Sequence, residues 1–534
     1  MNASDLAVAR WLPERAALTP DRVAVDFGGR LIRYRELAAT AARWAAGFAS
    51  AGLRPGDRVA TLARNCPEQV EVFFACAAAG LVLVPLNWRL TTAELAYQLG
   101  DADPAVLLTE PALESLGKEA AAAAGDGCAV ESLMGGPGDA GALTGDAGAL
   151  TAPFDRPSGD DALLILYTSG TTGKPKGAVL THANCFWTNL SLDRTAEITG
   201  GDVVLQVLPQ CHVGGWNVQP LLAWWKGATV VLEQSFDASR VLTLIEEKKV
   251  TTMMGVPTNY QLLAAHEQFL VADLSSLRQV IVGGAPMPRP LLETWQARGV
   301  TVLQGYGLTE AAPNVLCVPP EYAGAKTGSA GRPYLHVQVA LRDLADAGGG
   351  HLGGPGTGEL LVAGPNVFAG YWRNPAATEA ALPDGWLTTG DIAERDADGF
   401  YWIRGRTKEL YISGGENVYP AEVEEALVAH EAIAEAAVVG VPDERWGETG
   451  LAFVVFAAGR EPAADELARH CRTRLAAYKV PRHFRPVAEL PKLTSGKLDK
   501  VTLRARLAAG AESINGTDGT NGTGGVHGTD GAGQ

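Results

Sequence analysis

The sequence lacks paired cysteines: its seven cysteines are scattered along the chain, and none stands in a C-x-x-C arrangement. That distribution argues against a zinc ribbon and against a dense disulfide framework. The first fifteen residues also lack the uninterrupted apolar core of a signal peptide, because four charged side chains interrupt them. We therefore expect a cytoplasmic protein whose thiols are mostly buried.

A long apolar run that could span a membrane is missing as well. The apolar stretch 72–88 is shorter than the roughly 20 residues that a spanning helix needs, and Gly80 and Pro85 interrupt it. It predicts a buried helix followed by a strand, and we expect no integral membrane association. Basic charge is also scarce, since the formal net charge is -16, and this disfavours nucleic acid as a partner.

What the sequence does have is length and apolar material, with 534 residues of which 47% are hydrophobic. This is too much chain for one ordinary domain. Short apolar strands at 58–62 and 81–85 alternate with a helical pattern at 34–51, which is typical of α/β layers. Residues 115–160 are rich in Ala, Gly and Asp and show little periodicity, so we interpret them as a surface excursion.

The second half of the chain divides into three parts. From Leu163 to about Arg404 the α/β alternation resumes, with strands predicted at 163–166, 229–232, 279–282 and 359–362. The next part predicts a small α+β domain, with a helix from about Pro420, strands at 434–439 and 451–455, and a helix at 463–475. The tail 510–534 repeats short Gly-Thr-Asp and Asn-Gly-Thr units that cannot bury a core, so we expect it to be disordered.

A loop rich in glycine, hydroxyl groups and lysine lies between two of the apolar runs. It extends from Tyr167 to Gly177. Backbone N–H groups, hydroxyl donors and positive charge together suit a polyphosphate. The loop is not a Walker motif, because proline follows Gly173-Lys174. The candidate phosphate-binding residues are Thr168, Ser169, Gly170, Thr171, Thr172, Gly173 and Lys174.

This run resembles the phosphate-loop signature of the adenylate-forming superfamily, which includes acyl-CoA synthetases, adenylation domains of peptide synthetases and luciferases. Other segments match motifs of that superfamily in the same order, namely 283–286, 304–310, 388–391, 405–409 and 491–497. The resemblance covers about residues 8–506. Several matches in a fixed order are far more specific than any one of them.

The resemblance implies an α/β fold with two unequal parts and an active site in the cleft between them. Residues 1–407 would form a large N-terminal region of α/β subdomains, and residues 408–509 a small mobile α+β lid, followed by the tail 510–534. Lys408 matches the hinge position of the superfamily. The lid would turn about this hinge between two half-reactions.

ATP and Mg²⁺ are the ligands that the resemblance implies for the large region. Tyr306 would present its ring to adenine, and Asp391 would accept hydrogen bonds from the ribose hydroxyls with Arg406 as a second contact. Glu310 would bind the Mg²⁺. The other residues that the resemblance assigns to the nucleotide are Gly283, Gly284, Ala285, Pro286, Gly305, Gly307 and Thr309.

The resemblance also implies the reaction. A carboxylate oxygen attacks the α-phosphorus of ATP, giving an acyl-adenylate and pyrophosphate, and a thiol then takes the acyl group. Lys497 matches the adenylation lysine and would stabilise negative charge in the transition state. Thr168, Glu310 and His212 are the other residues that the resemblance assigns to catalysis.

The acid would lie near the segment that contains His212. The resemblance places His212, Gly214, Gly215, Trp216 and Asn217 at the acyl pocket. No aspartate stands where amino-acid-activating relatives pair the substrate ammonium, so an uncharged acyl group is favoured. The run from His212 to Asn217 is more similar to aliphatic acyl-CoA synthetases than to aryl-CoA ligases, which implies an apolar aliphatic, medium-chain or bulky alicyclic acid. Trp216 replaces a leucine of many relatives and either shortens the pocket or belongs to the core.

CoA is the acyl acceptor that the resemblance favours. Its tunnel would be lined by Ser413, Gly414, Gly415 and Trp446, although Gly414-Gly415 is also compatible with a simple tight turn. The leading function is therefore an ATP-dependent carboxylic acid:CoA ligase.

Two alternatives to the CoA ligase stay open. One is a stand-alone adenylating enzyme that loads a carrier protein or an amine. The other is a non-catalytic nucleotide-binding protein, which the intact Lys174, Glu310, Asp391 and Lys497 disfavour. The expected partners are a small-molecule carboxylic acid, ATP and CoA, and a homodimer is compatible with the sequence.

Overall fold

The computed structural model describes residues 3–125, 128–134, 157–168, 174–344, 350–413, 416–443, 445–492 and 498–508. Its helices are α1 Trp11–Leu18, α2 Tyr34–Ser50, α3 Pro67–Ala79, α4 Thr92–Ala102, α5 Glu114–Ala124, α6 His182–Asp193, α7 Gly214–Asn217, α8 Pro220–Lys226, α9 Ala238–Glu247, α10 Pro257–Ala265, α11 Arg289–Ala297, α12 Pro375–Ala381, α13 Pro420–Val428, α14 Ala464–Arg472 and α15 Lys500–Ala508.

The strands are β1 Val23–Phe27, β2 Arg30–Arg33, β3 Arg58–Leu62, β4 Val82–Leu86, β5 Val106–Thr109, β6 Ala129–Ser132, β7 Ala162–Thr168, β8 Lys176–Thr181, β9 Val203–Gln206, β10 Thr229–Leu232, β11 Thr252–Gly255, β12 Gln279–Val282, β13 Thr301–Gly307, β14 Asn314–Cys317, β15 Arg332–Pro333, β16 Gln338–Arg342, β17 Gly356–Ala363, β18 Gly370–Tyr371, β19 Leu387–Arg395, β20 Tyr401–Arg406, β21 Tyr411–Ser413, β22 Glu416–Val418, β23 Ile433–Asp443, β24 Gly447–Phe456 and β25 His483–Pro486. These elements form two compact units, the first ending at Lys408 and the second beginning at Glu409.

The first unit contains a nine-stranded sheet in the order β15-β14-β13-β12-β11-β9-β10-β1-β2. Its six central strands, from β13 to β1, run parallel. Parallel strands need crossover connections and both faces covered, and helices α9, α10 and α11 cross between β10, β11, β12 and β13. Val, Leu and Ile therefore dominate strands such as β10 and β12, which are buried almost throughout.

Two further sheets complete the first unit. A seven-stranded sheet has the order β18-β8-β7-β4-β3-β5-β6, and a four-stranded sheet has the order β16-β17-β19-β20. The four-stranded sheet is antiparallel throughout. Its β19 and β20 carry two of the candidate nucleotide residues, and β7 and β8 flank the phosphate loop.

The second unit is built on one mixed sheet. Strands β22, β21, β24 and β23 pair in that order, and β25 lies parallel to β24. Helices α13 and α14 pack on the sheet through a core that includes Val423, Leu427, Leu467 and Cys471. The amphipathic pattern of α14, apolar at positions three and four apart, accounts for that packing.

The predicted α/β class, with a large N-terminal region and a small α+β C-terminal domain, is confirmed by these elements. The strands predicted at 58–62, 229–232 and 279–282 coincide with β3, β10 and β12. The buried helix and strand predicted within 72–88 are α3 and β4. Within the described ranges, no helix is both long and apolar enough to cross a membrane.

One expectation needs correction. Residues 115–160 are not only a surface excursion, because they begin inside helix α5 and include β6, which pairs with β5. An alanine-rich helix has little polar contrast, so its periodicity was not visible. The two α/β regions share their sheets, since β1 joins the sheet of β10 and β7 joins the sheet of β4. The tail 510–534 and residues 135–156 lie outside the described residues.

Candidate active site

Four neighbouring parallel strands of the nine-stranded sheet, β9, β11, β12 and β13, end at one edge. Their ladder pairs Gln206–Met254, Gly255–Val282 and Val282–Gln304 show that the strands end nearly level. Because the carboxyl ends of parallel strands meet at one edge, the segments that follow them are neighbours. Three segments that carry predicted site residues, 209–217, 283–286 and 308–310, follow β9, β12 and β13.

Tyr306, Asp391 and Arg406, which the sequence assigns to the nucleotide, lie in one cluster. The Tyr306 hydroxyl donates to Asp391 Oδ2 at 2.5 Å, and Arg406 Nε lies 2.7 Å from Asp391 Oδ1. Asp391 and Arg406 face each other as a cross-strand pair of β19 and β20. Desolvation and the adjacent Asp391 carboxylate raise the pKa of Tyr306 well above its usual 10. We call these three residues the nucleotide cluster.

The glycines around Tyr306 are required by close backbone approach. A Cβ at Gly307 would overlap the Pro313 carbonyl oxygen, and one at Gly305 would lie 3.4 Å from the Leu316 carbonyl oxygen. Both contacts lie along the antiparallel pairing of β13 with β14 and the residue before β14. Only glycine, which has no side chain, fits at position 307.

The turn after β12 is also glycine-dependent. Gly284 has φ +82°, which favours glycine, and a Cβ at Gly283 would lie 2.9 Å from the Met254 methyl group. The turn is anchored to β13 because Gln304 Oε1 accepts a hydrogen bond from Met287 N at 3.1 Å. Ala285 and Pro286 are exposed at its tip.

Thr168 and Glu310, which lie 142 residues apart in sequence, meet at the end of β7. The Thr168 hydroxyl donates to Glu310 Oε1 at 3.3 Å, and the Tyr371 hydroxyl donates to the same oxygen at 2.9 Å. Among the described residues, no hydrogen bond engages Glu310 Oε2. Burial, followed by the charge of Glu310, raises the pKa of Tyr371 above its usual 10. Thr309 lies beside this contact in a 3-10 turn.

The phosphate loop is described only at its ends. Ser169, Gly170, Thr171, Thr172 and Gly173 lie outside the described residues. At its carboxyl end Lys174 is exposed, and its Nζ lies 5.7 Å from the centroid of the Tyr97 ring. The flanking strands β7 and β8 pair up to Thr168 and Lys176, so they bring the two ends of the loop together.

The predicted acyl segment, residues 209–217, is a tight turn leading into α7. His212 N donates to the Pro209 carbonyl at 3.1 Å, and Gly215 N donates to the His212 carbonyl at 2.9 Å. A Cβ at Gly215 would overlap the Pro209 carbonyl oxygen, whereas one at Gly214 would lie 3.1 Å from a methyl group of Leu208. His212 is half-buried in this turn.

Two of the predicted acyl-pocket residues are completely buried. The Trp216 indole is stacked on Phe73 at 4.8 Å and donates to the Gln210 carbonyl at 2.6 Å. Asn217 Oδ1 accepts from Asn189 Nδ2 at 3.2 Å. These contacts give both side chains a packing role, and their contact with an acid stays a prediction.

In the second unit, the described residues of the predicted CoA tunnel lie on adjacent strands. Ser413 at the end of β21 pairs with Gly447, the residue after Trp446. Trp446 stacks with Arg445 and Arg482 at 5.2 and 5.1 Å. Gly414, Gly415 and Lys497 lie outside the described residues, and Lys408 is the last residue of the first unit. The tunnel and the hinge stay predictions.

Tyr371 is a site residue that the sequence did not reveal. It belongs to the two-residue strand β18, which pairs with β8 directly beyond the phosphate loop. Lys176 Nζ lies 4.9 Å from its ring centroid. A two-residue strand has no periodicity, so only the match of the neighbouring motifs could have directed attention to this tyrosine.

Two family matches cover most of the chain. Residues 12–372 match the AMP-binding enzyme family, and residues 422–497 match the AMP-binding enzyme C-terminal domain. The first match includes the phosphate loop, the Glu310 contact and Tyr306, and the second includes Trp446 and Lys497.

Individual relatives are similar over nearly their whole length. The feruloyl-CoA synthase of an Amycolatopsis species is 44% identical, over 93% of this chain and 98% of the relative. The indoleacetate–CoA ligase of Aromatoleum aromaticum is 39% identical, over 94% and 98%. Among solved structures, the O-succinylbenzoate coenzyme A synthetase of Bacillus subtilis, in complex with ATP and magnesium ion, has a TM-score of 0.81 at 34% identity, covering 92% of this chain and 99% of that one.

Proposed function

This chain belongs to the AMP-binding enzymes and is an AMP-forming acid–thiol ligase, and from that premise we propose that its acid substrate is a monocarboxylic acid with an aromatic ring. The nucleotide cluster is the observation that carries the ATP-dependent half of the proposal. The acid half rests on the acyl segment and on the acids for which the relatives are named.

The nucleotide cluster suits a ribose and a base. Asp391 is 5% exposed and is held by a phenol and a guanidinium, so its carboxylate keeps a fixed position from which to accept ribose hydroxyls. The ring of Tyr306 lies between glycines that let an adenine approach its face. Arg406 is half-exposed beside Asp391 and would add a donor for the ribose.

Glu310 suits a Mg²⁺ that is shared with ATP. Its Oε1 is occupied by Thr168 and Tyr371, which leaves Oε2 as the coordinating oxygen. Among the residues that the structure describes, no three His, Cys, Asp or Glu side chains are grouped to hold a metal by themselves. That fits Mg²⁺, which usually takes few protein ligands and completes its octahedron with phosphate oxygens and water.

Adenylation needs positive charge at the α-phosphate as well as positioning. Lys497 matches the adenylation lysine and would supply this charge in the transition state. Removing it should lower acyl-adenylate formation by roughly 10² to 10³. The acyl-adenylate is then attacked by the CoA thiol, which releases AMP and gives the thioester.

The acid carries its only charge on the carboxylate. Residues 203–225 contain no Asp, Glu, Lys or Arg, so they offer no counter-ion for a charged tail. Ferulate, indoleacetate and 2-succinylbenzoate, after which several relatives are named, each contain an aromatic ring. A ring-bearing acid is therefore the first candidate.

An aliphatic, medium-chain or alicyclic acid is the second candidate. It is favoured by the segment from His212 to Asn217, which resembles that of aliphatic acyl-CoA synthetases. Transfer to a carrier protein or an amine instead of CoA, and a homodimer, remain the less favoured expectations. The two acids differ in shape but not in charge, so only turnover distinguishes them.

The test is pyrophosphate release with a panel of aryl, aryl-alkanoic, straight-chain, alicyclic and amino acids, each with and without CoA. Mass spectrometry identifies every product, and Lys497→Ala is the matched control. We expect the wild type to form an aryl-CoA thioester. We expect Lys497→Ala to release pyrophosphate roughly 10² to 10³ times more slowly. Turnover restricted to aliphatic acids would overturn the acid assignment, and adenylate without thioester would overturn the CoA assignment.

A further inference from the structure

Helix α4 contacts both ends of the phosphate loop. On the β7 side, the Tyr167 hydroxyl donates to Asp101 Oδ2 at 2.6 Å. On the β8 side, the Tyr97 hydroxyl donates to the Pro175 carbonyl at 3.1 Å. Tyr97 and Asp101 are one turn apart on the helix, so a single rigid element contacts the chain before and after the loop.

Tyr97 also contacts the lysine of the loop. Its ring centroid lies 5.7 Å from Lys174 Nζ, within the range of a cation–π interaction. Lys174 is exposed, whereas Tyr97 is half-buried, so the ring offers the ammonium a fixed surface. Tyr97 thus holds the loop through its hydroxyl at the backbone of Pro175 and through its ring at the neighbouring side chain.

The end of α4 is itself held in place. Trp372 Nε1 donates to the Asp101 carbonyl at 3.2 Å, and Trp372 N donates to the Gly177 carbonyl at 2.7 Å. Arg58 and Arg373 each reach Asp103 Oδ2 at 3.1 Å. Trp372 therefore links the end of α4 to strand β8 at the base of the loop.

We propose that Tyr97 is a positioning residue for Lys174. Its ring confines the ammonium, and its hydroxyl fixes the adjacent backbone, before a nucleotide arrives. Ordering a lysine side chain costs rotamer entropy, so a lysine that is already confined binds phosphate more tightly. The inference rests on the proposed function, which gives Lys174 a phosphate to bind.

A double-mutant cycle tests this role. The variants are Tyr97→Leu, Tyr97→Phe, Lys174→Ala and the double variant Tyr97→Leu/Lys174→Ala, with the dissociation constant for Mg·ATP measured by calorimetry. From the usual strength of an exposed cation–π pair we expect Tyr97→Leu to weaken Mg·ATP binding about two- to fivefold. Tyr97→Phe keeps the ring and should lose less than about twofold. In the Lys174→Ala background, Tyr97→Leu should cost no more than Tyr97→Phe costs in the wild type, because the ring then has no ammonium to confine.

Steady-state kinetics gives the second readout. A positioning role predicts a higher KM for ATP in Tyr97→Leu with kcat nearly unchanged. Tyr478→Leu is the matched control, since Tyr478 is another half-buried tyrosine with a lysine Nζ, that of Lys479, at 5.8 Å from its ring. Its affinity for Mg·ATP should equal that of the wild type.

Three results would overturn the inference. They are an equal loss from Tyr97→Leu in both Lys174 backgrounds, a similar loss in Tyr478→Leu, and wild-type affinity in Tyr97→Leu while Lys174→Ala binds weakly. Wild-type affinity in Lys174→Ala is a fourth such result, because the ring then has no functional lysine to position. If the wild type itself fails to bind Mg·ATP, the proposed function fails instead. If Tyr97→Leu does not fold, Tyr97→Met takes its place in the same cycle, because it removes the aromatic face and keeps a long apolar side chain.

Discussion

The nucleotide cluster and the acyl segment both belong to the first unit but are built differently. The cluster consists of charged and phenolic side chains, with Asp391 held by Tyr306 and Arg406 across three strands. The acyl segment, residues 209–217, consists of backbone turns in which Gly215 touches the Pro209 carbonyl. We expect the nucleotide cluster to recognise its ligand through side-chain groups, and the acyl segment to recognise the acid through the space that its backbone leaves.

This difference explains why the sequence predicts the nucleotide more readily than it predicts the acid. Ribose and phosphate are polar and invariant, so fixed donors and acceptors suit them. An acyl group is apolar, and its recognition depends on shape, which many different packings can provide. Substitutions in the cluster should therefore change ATP binding alone, and substitutions in the segment should change acid binding alone.

Asp391→Ala should give the largest effect. It removes the acceptor of the ribose and leaves Tyr306 and Arg406 without their carboxylate, so we expect the KM for ATP to rise by about 10², as charged hydrogen bonds are each worth roughly 1.5–3 kcal/mol. The KM for the acid should change less than about twofold. Steady-state kinetics with each substrate varied in turn measures both. An equal rise in both constants would remove the distinction between the regions, and thermal unfolding of Asp391→Asn checks that the fold is intact.

Gly215→Ala should give the converse result. Its Cβ would overlap the Pro209 carbonyl oxygen and lie 2.8 Å from the carbonyl carbon, so the turn must move. We expect a loss of about 1–3 kcal/mol in stability from overpacking, together with a raised KM for the acid and an unchanged KM for ATP.

Gly214→Ala is the matched control for this turn, because its Cβ would lie 3.1 Å from a leucine methyl group that can rotate away. It should be milder in both stability and acid KM. If Gly215→Ala keeps the wild-type KM for the acid, the acyl segment does not take part in acid binding.

The fold was predictable where one physical signal dominates. Strands such as β10 and β12 were recognised because apolar β-branched residues between turns have few other interpretations. The pairing of distant strands was not predictable. Strands β1 and β10 are about 200 residues apart, and neither sequence indicates which strand is its neighbour.

The site was predictable where motifs carry charged or glycine residues. Asp391, Tyr306 and Glu310 could be assigned from their motifs, and the structure brings Asp391 to Tyr306 and Glu310 to Thr168. Tyr371 and Tyr97 were missed, because an isolated tyrosine in a short strand or on an amphipathic helix is most often a packing residue. Their contacts depend on tertiary structure alone.

Trp216→Phe tests whether Trp216 belongs to the core or lines the acyl pocket. It keeps a ring against Phe73 but leaves the Gln210 carbonyl without its indole donor, so we expect a destabilisation of about 1–2 kcal/mol. Trp224→Phe is the matched control, since Trp224 is also buried and donates to the Ala24 carbonyl. If Trp216 is only a core residue, both variants lose similar stability and keep the order of preferred acids. A changed order in Trp216→Phe alone would place the indole at the pocket.

A smaller effect should appear in the pH dependence of stability, because a buried carboxyl of α3 forms no ion pair with any residue that the structure describes. Glu71 of α3 is 4% exposed, and its Oε2 accepts from the Trp44 indole at 3.3 Å. Burial, followed by the charge of the neighbouring Glu68, raises the pKa of Glu71 from 4.5 to about 7. The buried carboxylate of Asp391, in contrast, has the Arg406 guanidinium at 2.7 Å.

The sign of the effect follows from the raised pKa of Glu71. The folded state binds this proton more tightly than the unfolded state, so the stabilisation is present at low pH and is lost as the pH rises through about 7. Between pH 6 and pH 8 the wild type should lose about 1 kcal/mol that Glu71→Gln does not lose. Denaturant unfolding at both pH values measures this, with Glu114→Gln on the surface as the control. Parallel pH profiles for the wild type and Glu71→Gln would contradict the raised pKa of Glu71.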